Sequence, residues 1–130
     1  MKYLLIIALF VGQIFALTAT KQNILKLQKQ NIPIIDIRLP EEWKATGSIP
    51  NALQITFFDH SGSINPKFIQ MLTKNHIYYN SKFAIICRTG HRTRIAYKIL
   101  KNNGYKNIID LQGGMFQLFK SLLKELKNGK

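Results

Sequence analysis

The run Phe83-Ala84-Ile85-Ile86 constrains this chain more than any other segment. Four consecutive apolar residues without polar alternation read as a strand buried on both faces, and such a strand needs a sheet covered by helices on either side. The run stops at Cys87, and a basic loop follows, Cys87-Arg88-Thr89-Gly90-His91-Arg92-Thr93. Beyond the loop, Ile95, Ala96, Ile99 and Leu100 recur at helical spacing and are expected in the core. A strand, a Gly-containing loop and a helix start together put one thiol where backbone N–H groups converge on an anion. Gly90 supplies the backbone freedom that such a curl needs.

The rest of the chain alternates in the same way. Lys21 to Gln30 reads as an amphipathic helix and Ile34 to Ile37 as a short strand. Pro40-Glu41-Glu42 suits the first turn of a helix that Gly47 ends. Ala52 to Phe58 reads as a strand, and Asn65-Pro66 opens a helix expected to bury Phe68, Ile69 and Leu72. Ile108 to Leu111 is a further strand. The last helix places Met115, Leu118, Phe119, Leu122, Leu123 and Leu126 at spacings of a core face. The expected class is α/β, a three-layer α/β/α domain with a mostly parallel central sheet. Ligands of such sheets bind beyond the carboxyl ends of the strands, which is where Cys87 falls.

The N-terminus reads as a targeting segment. Met1-Lys2 is a short basic start, and Leu4 to Val11 is apolar but too short for a confident membrane span. The expectation is a signal peptide over residues 1–18, cleaved near Thr18, with the domain over 19–130 exported to the periplasm. The alternative is an uncleaved segment that anchors the domain to a membrane. The remaining length allows one compact core and not two.

Cys87 is the only cysteine, so no intramolecular disulfide can form, and no Cys/His cluster has metal-ligand spacing. In an oxidising compartment a lone thiol implies chemistry. The net charge of +13 invites nucleic acid as a partner. The lysines, however, are scattered from Lys21 to Lys130 rather than clustered, and no nucleic-acid partner is expected. Anionic donors or a negatively charged membrane surface suit the charge better. Arginine is distributed differently, with three of the four (Arg88, Arg92 and Arg94) just past Cys87. Lysine serves for general charge, whereas arginine supplies a planar fork for oxyanions.

At these residues the chain resembles the rhodanese-like sulfurtransferases. Cys87 to Arg92 matches their Cys-x4-Arg loop, and Ile35-Asp36-Ile37-Arg38 is similar to their Asp-x-Arg strand end. Pro40-Glu41-Glu42-Trp43 resembles the helix start that follows. Gly47-Ser48-Ile49-Pro50-Asn51-Ala52 resembles Gly-His-Ile-Pro-Gly-Ala, with Ser48 and Asn51 as departures. Gly104-Tyr105 and Leu111-Gln112-Gly113-Gly114-Met115 resemble the closing segment, with Leu118 where the family often has Trp. The likeness covers about residues 20–120.

The resemblance implies a thiosulfate sulfurtransferase of this fold that needs no cofactor and no metal. Cys87 is then the catalytic nucleophile, and Arg88, Thr89, Gly90, His91 and Arg92 form the substrate loop. Thiosulfate or a similar small anionic donor loads Cys87 as a persulfide, and cyanide or a thiol takes the sulfur away. Arg92 is expected on the donor's oxyanions, while Arg88 faces either solvent or a substrate tail. His91 contributes its N–H or a proton transfer. Asp36 and Arg38 are expected to brace the loop. A protein-to-protein sulfur relay is the alternative role. Phosphatase or arsenate-reductase chemistry is disfavoured, because the phosphatase loop is Cys-x5-Arg, one residue longer.

Overall fold

The computed structural model describes residues 15–129. The leader expected over residues 1–18 therefore lies largely outside the described residues. Among the described residues five strands, β1 (Ala16–Thr18), β2 (Ile34–Asp36), β3 (Leu53–Gln54), β4 (Lys82–Ile86) and β5 (Asn107–Gln112), form one sheet in the order β1-β5-β4-β2-β3. Every pairing is parallel. Helices α1 (Lys21–Lys29), α2 (Pro40–Thr46), α3 (Phe68–Lys74), α4 (His91–Asn102) and α5 (Gly114–Lys127) provide the connections and flanks. The expected α/β class with a parallel central sheet is what the chain adopts. Among the described residues no helix is long and apolar enough to cross a membrane.

Alternation along β4 splits the core in two. Phe83, Ile85 and Cys87 face a cluster with Phe68, Leu72, Ala96 and Leu100, whereas Ala84 and Ile86 face Ile24, Leu27, Met115 and Leu118 on the other side. With helices on both faces, a strand of unbroken hydrophobicity is the stable choice. Local signals set the helix ends. Thr20 caps α1 by accepting from Asn23 N at 3.2 Å, and Pro40 opens α2 where its missing N–H costs nothing.

Several expectations need revision. The strand read over Ala52 to Phe58 is regular only at Leu53–Gln54. Ile55 N and Phe57 N still donate to Asp36 O and Ile37 O, both at 3.1 Å, but the chain leaves the ladder to turn through Asp59–Ser63. Ile69 and Ile95, expected in the core, are exposed, and so are Phe119, Leu123 and Leu126 of α5. Each adjoins the buried stripe of its helix, and helical spacing alone does not say which neighbouring arc faces the sheet. Ala16–Thr18, on the leader side of the expected boundary, pair with Asp110–Gln112, so the sheet begins ahead of residue 19.

The departures noted in the Gly47–Ala52 segment have local explanations. Asn51 adopts φ +68°, a conformation that Asn tolerates better than most side chains, so it fills a glycine position. Ser48 still donates a hydrogen bond, from Oγ to Asp36 Oδ2 at 2.7 Å. Leu118 is buried in the second core cluster and fills the space there.

Candidate active site

Cys87 directly follows β4 at the carboxyl edge of the sheet, where β4 lies between β2 and β5. The backbone folds over it. Gly90, at φ +99°, lets the loop curl back so that its N–H donates to Cys87 Sγ at 3.2 Å. α4 starts at the next residue, so the sulfur lies under a helix N-terminus, where the dipole favours negative charge. The thiol is 1% exposed. On its inner side Thr93 Oγ1 lies 3.8 Å from Sγ and donates to Gly90 O at 3.2 Å. Thr93 was not among the expected site residues. Its signal was its place one helical turn after Gly90, facing the core.

The loop rests on the start of α5. Met115 N donates to Cys87 O at 2.8 Å and Phe116 N to Arg88 O at 2.9 Å. This close approach of two backbones explains the Gly113-Gly114 pair. A Cβ on Gly114 would stand 2.5 Å from Cys87 O and 2.6 Å from Arg88 O. Likewise, a Cβ on Gly90 would stand 3.0 Å from Gly113 N. The two glycine segments fit only because neither carries a side chain.

The arginines divide. Arg88 and Thr89 are exposed at the outer turn of the loop, and His91 is exposed at the first position of α4. Arg92 does not present a free fork. Its Nη1 and Nη2 donate to Glu42 Oε1 and Oε2 at 2.7 and 2.8 Å, a bidentate pair joining α4 to α2. Glu42 also accepts from Leu39 N at 3.1 Å, so one carboxylate caps α2 and clamps the active loop. The Arg92 hydrogen bonds hold the Glu42 carboxyl below its usual range, and Glu42 in turn raises Arg92. The Nη1/Nη2 edge expected on the donor's oxyanions is taken up here by the Glu42 carboxylate, and in this arrangement Arg92 serves as a strut between α4 and α2. Nothing local announces this pairing, because 50 positions separate Glu42 from Arg92.

Asp36 and Arg38 also differ from expectation. Arg38 donates from Nε to Asp36 Oδ1 at 2.9 Å and from Nη2 to Asp36 Oδ2 at 2.8 Å, and both residues are buried. The remaining guanidinium bonds run to Thr46 Oγ1 and Gly47 O, each at 2.8 Å. These side chains fasten the end of α2, not residues 87–92. Their strand supports the loop through the backbone, where Ile37 N donates to Ile86 O at 3.0 Å.

Beside the loop lies an open cleft of about 520 Å³, lined among others by Leu39, Glu42, Phe58, His60, Arg88 and Arg92. His60 pairs with Glu41 at its rim. Behind Thr93, Asp110 is buried and its Oδ1 has no hydrogen-bond partner among the described residues. Burial raises its carboxyl above the ordinary range, and the Thr93 hydroxyl partly opposes that shift. Among the described residues no group of His, Cys, Asp and Glu is arranged to hold a metal ion.

A family model for the rhodanese-like domain matches residues 20–121. A sulfurtransferase of Allochromatium vinosum is 30% identical over 86 residues, covering 66% of this chain and 70% of that protein. A tRNA uridine(34) hydroxylase of Prochlorococcus marinus is 32% identical over 101 residues, but those span 76% of this chain and only 32% of that longer protein. Among solved structures, a rhodanese-like domain protein from Staphylococcus aureus superposes with a TM-score of 0.60 at 26% identity, over 80% of this chain and 90% of its own.

Proposed function

The chain belongs to the rhodanese-like domain family, and from that membership we propose that it is a sulfurtransferase working through a Cys87 persulfide. One observation carries the reading above all. Cys87 Sγ stands at a strand end under the α4 N-terminus and accepts the Gly90 N–H at 3.2 Å, so a backbone donor and a helix start both face the sulfur.

In the proposed cycle the Cys87 thiolate attacks the outer sulfur of thiosulfate. The S–S bond of the donor breaks, sulfite leaves with the bonding electrons, and Cys87 carries the sulfane sulfur as a persulfide. Cyanide or a thiolate then attacks that outer sulfur and regenerates the Cys87 thiolate. The chemistry splits one transfer into two displacements. Arg88, exposed on the cleft, supplies positive charge for an anionic donor, while Glu42 and Arg92 fix the loop. The openness of the cleft also supports an acceptor larger than cyanide, such as a protein thiol in a sulfur relay. RNA modification belongs to the much longer Prochlorococcus relative and is not part of this proposal.

The run Leu4 to Val11 supports export or membrane anchoring. Because Ala16–Thr18 belong to the sheet, an uncleaved segment, or a cut ahead of Ala16, keeps the fold whole, whereas a cut after Thr18 removes β1.

Mass spectrometry of the protein after incubation with thiosulfate tests the central step. The expected result is a gain of one sulfur atom, removed by cyanide or a reducing thiol and not formed in Cys87→Ser. Unmodified wild-type protein with thiosulfate and other small sulfane donors would sink the thiosulfate reading and favour the relay.

The Glu42–Arg92 pair yields a second expectation. If Arg92 bound the donor directly, freeing it by Glu42→Gln would leave turnover unchanged or raise it. As a strut it needs Glu42, so Glu42→Gln and Arg92→Lys should each lower thiosulfate turnover about tenfold, equal to about 1.4 kcal/mol. The double variant should lose little more than either single one. A loss in Arg92→Lys with none in Glu42→Gln would return Arg92 to the role of oxyanion ligand.

A further inference from the structure

α5 carries more apolar surface than the core uses. Met115 and Leu118 are buried and Leu122 packs beside them, while Phe116, Phe119, Leu123 and Leu126 face outward. Leu123 is 57% and Leu126 70% exposed, too much for the edge of a core. Steps of three, four and three place these four side chains on one strip of the helix. Lys120, Lys124 and Lys127 form the next row around it. The single acid of the helix, Glu125, is engaged by Lys21 Nζ and Gln22 Nε2, both at 2.9 Å. The strip therefore borders positive charge and no free carboxylate of its own helix. On the α1 side it continues into an apolar groove of about 340 Å³ between Ile24, Leu25, Leu118, Phe119 and Leu122.

We propose that this face of α5 docks on an anionic lipid surface. Phenylalanine and leucine side chains beside a row of lysines suit a helix lying in the bilayer interface. The apolar groups enter the acyl boundary, and the lysine stems reach back to the phosphates. A second copy of the chain is a poor occupant, because it would set lysine row against lysine row in a protein of net charge +13. The apolar run Leu4 to Val11, which precedes the described residues, suits the same surface. Docking also has a consequence for chemistry. The first turn of α5 holds Cys87 O and Arg88 O, so the active loop sits within one helix length, about 21 Å, of the bound surface. Sulfur donors or acceptors held at a membrane would then lie within reach.

The test uses the full chain carrying Leu123→Trp, with vesicles of equal phosphatidylglycerol and phosphatidylcholine or of phosphatidylcholine alone. Trp43, present in both proteins, gives the background emission. The expected result is a blue shift of the introduced indole and its quenching by brominated acyl chains, with the anionic vesicles only. Lys120→Glu with Lys124→Glu should weaken partition at least roughly tenfold, since each lysine contributes roughly fivefold. Sulfur uptake by that double variant without vesicles should match wild type, which confirms its fold. Binding with an unquenched indole would assign the attachment to residues 1–14 and overturn the proposal. Equal binding to neutral vesicles would overturn the role of the lysines. No binding to either vesicle would give the face to an acidic protein partner and end the lipid reading.

Discussion

Gly114→Ala is expected to disable sulfur uptake without altering any residue that touches sulfur. The residue adopts φ +62°, and an added Cβ would lie 2.5 Å from Cys87 O and 2.6 Å from Arg88 O. Both obstacles are backbone atoms of the active loop, so no side-chain rotation relieves the overlap. Left-handed strain of about 1–2 kcal/mol and overpacking of about 1–3 kcal/mol together predict a stability loss of roughly 2–5 kcal/mol. What relaxes will be the loop, because the hydrogen bonds from Met115 N and Phe116 N are the ones the new methyl pushes apart. Displacement by about 1 Å at a reacting centre costs on the order of a hundredfold in rate. Thermal unfolding and the rate of persulfide formation by mass spectrometry measure the two parts. Gly62→Ala is the comparison for strain alone, since Gly62 has φ +83° with nothing within 4 Å of an added Cβ. It should lose only the roughly 1–2 kcal/mol of strain. Equal losses in the two variants would mean that overlap at the loop does not matter.

That the two glycines matter was visible in the sequence, but why they matter was not. Leu111-Gln112-Gly113-Gly114 stands out as a motif, yet the atom that excludes a methyl belongs to Cys87, far along the chain. The same limit governs Glu42. A carboxylate in the first turn of α2 has a sufficient local reason in the helix dipole, and nothing nearby announces that Arg92 will reach it. By contrast, the buried strand, its terminal thiol and the glycine curl are consecutive, so sequence order carried them into space nearly unchanged. Apolar alternation over Ala52 to Phe58 records burial, and Ile55 and Phe57 are buried, although regular pairing stops at Gln54. α5 shows a related limit. Its apolar residues cover two adjoining arcs, and periodicity marks both while the sheet needs one. The surplus arc is the signal for a second surface, which only the burial pattern separates from the core.

Asp36→Ala should cost as much stability as truncating a large core side chain, and it should do so away from the sulfur. Arg38 is 1% exposed, and Asp36 accepts from its Nε, its Nη2 and its backbone N. Removing the carboxylate leaves a buried guanidinium without its counter-charge and strands the Ser48 hydroxyl, which donates to Oδ2. Breaking a buried pair in this way costs about 3–5 kcal/mol, against a total stability of about 5–15 kcal/mol for a native domain. Asp36→Asn keeps the shape and some acceptor capacity but not the charge, so its loss should be intermediate. Asp36→Leu combined with Arg38→Met tests the cause. Removing both charges avoids the unpaired cation, and the double variant should be more stable than Asp36→Ala, although it gives up the bonds to Thr46 Oγ1 and Gly47 O. Denaturant midpoints for the three variants measure this order. No side-chain bond of Asp36 or Arg38 reaches residues 87–92, so each variant should still load one sulfur on Cys87 at a temperature where it is folded. A variant that is folded but unable to take up sulfur would show that the network does act on the loop, through the Ile37–Ile86 backbone bond that β2 and β4 share.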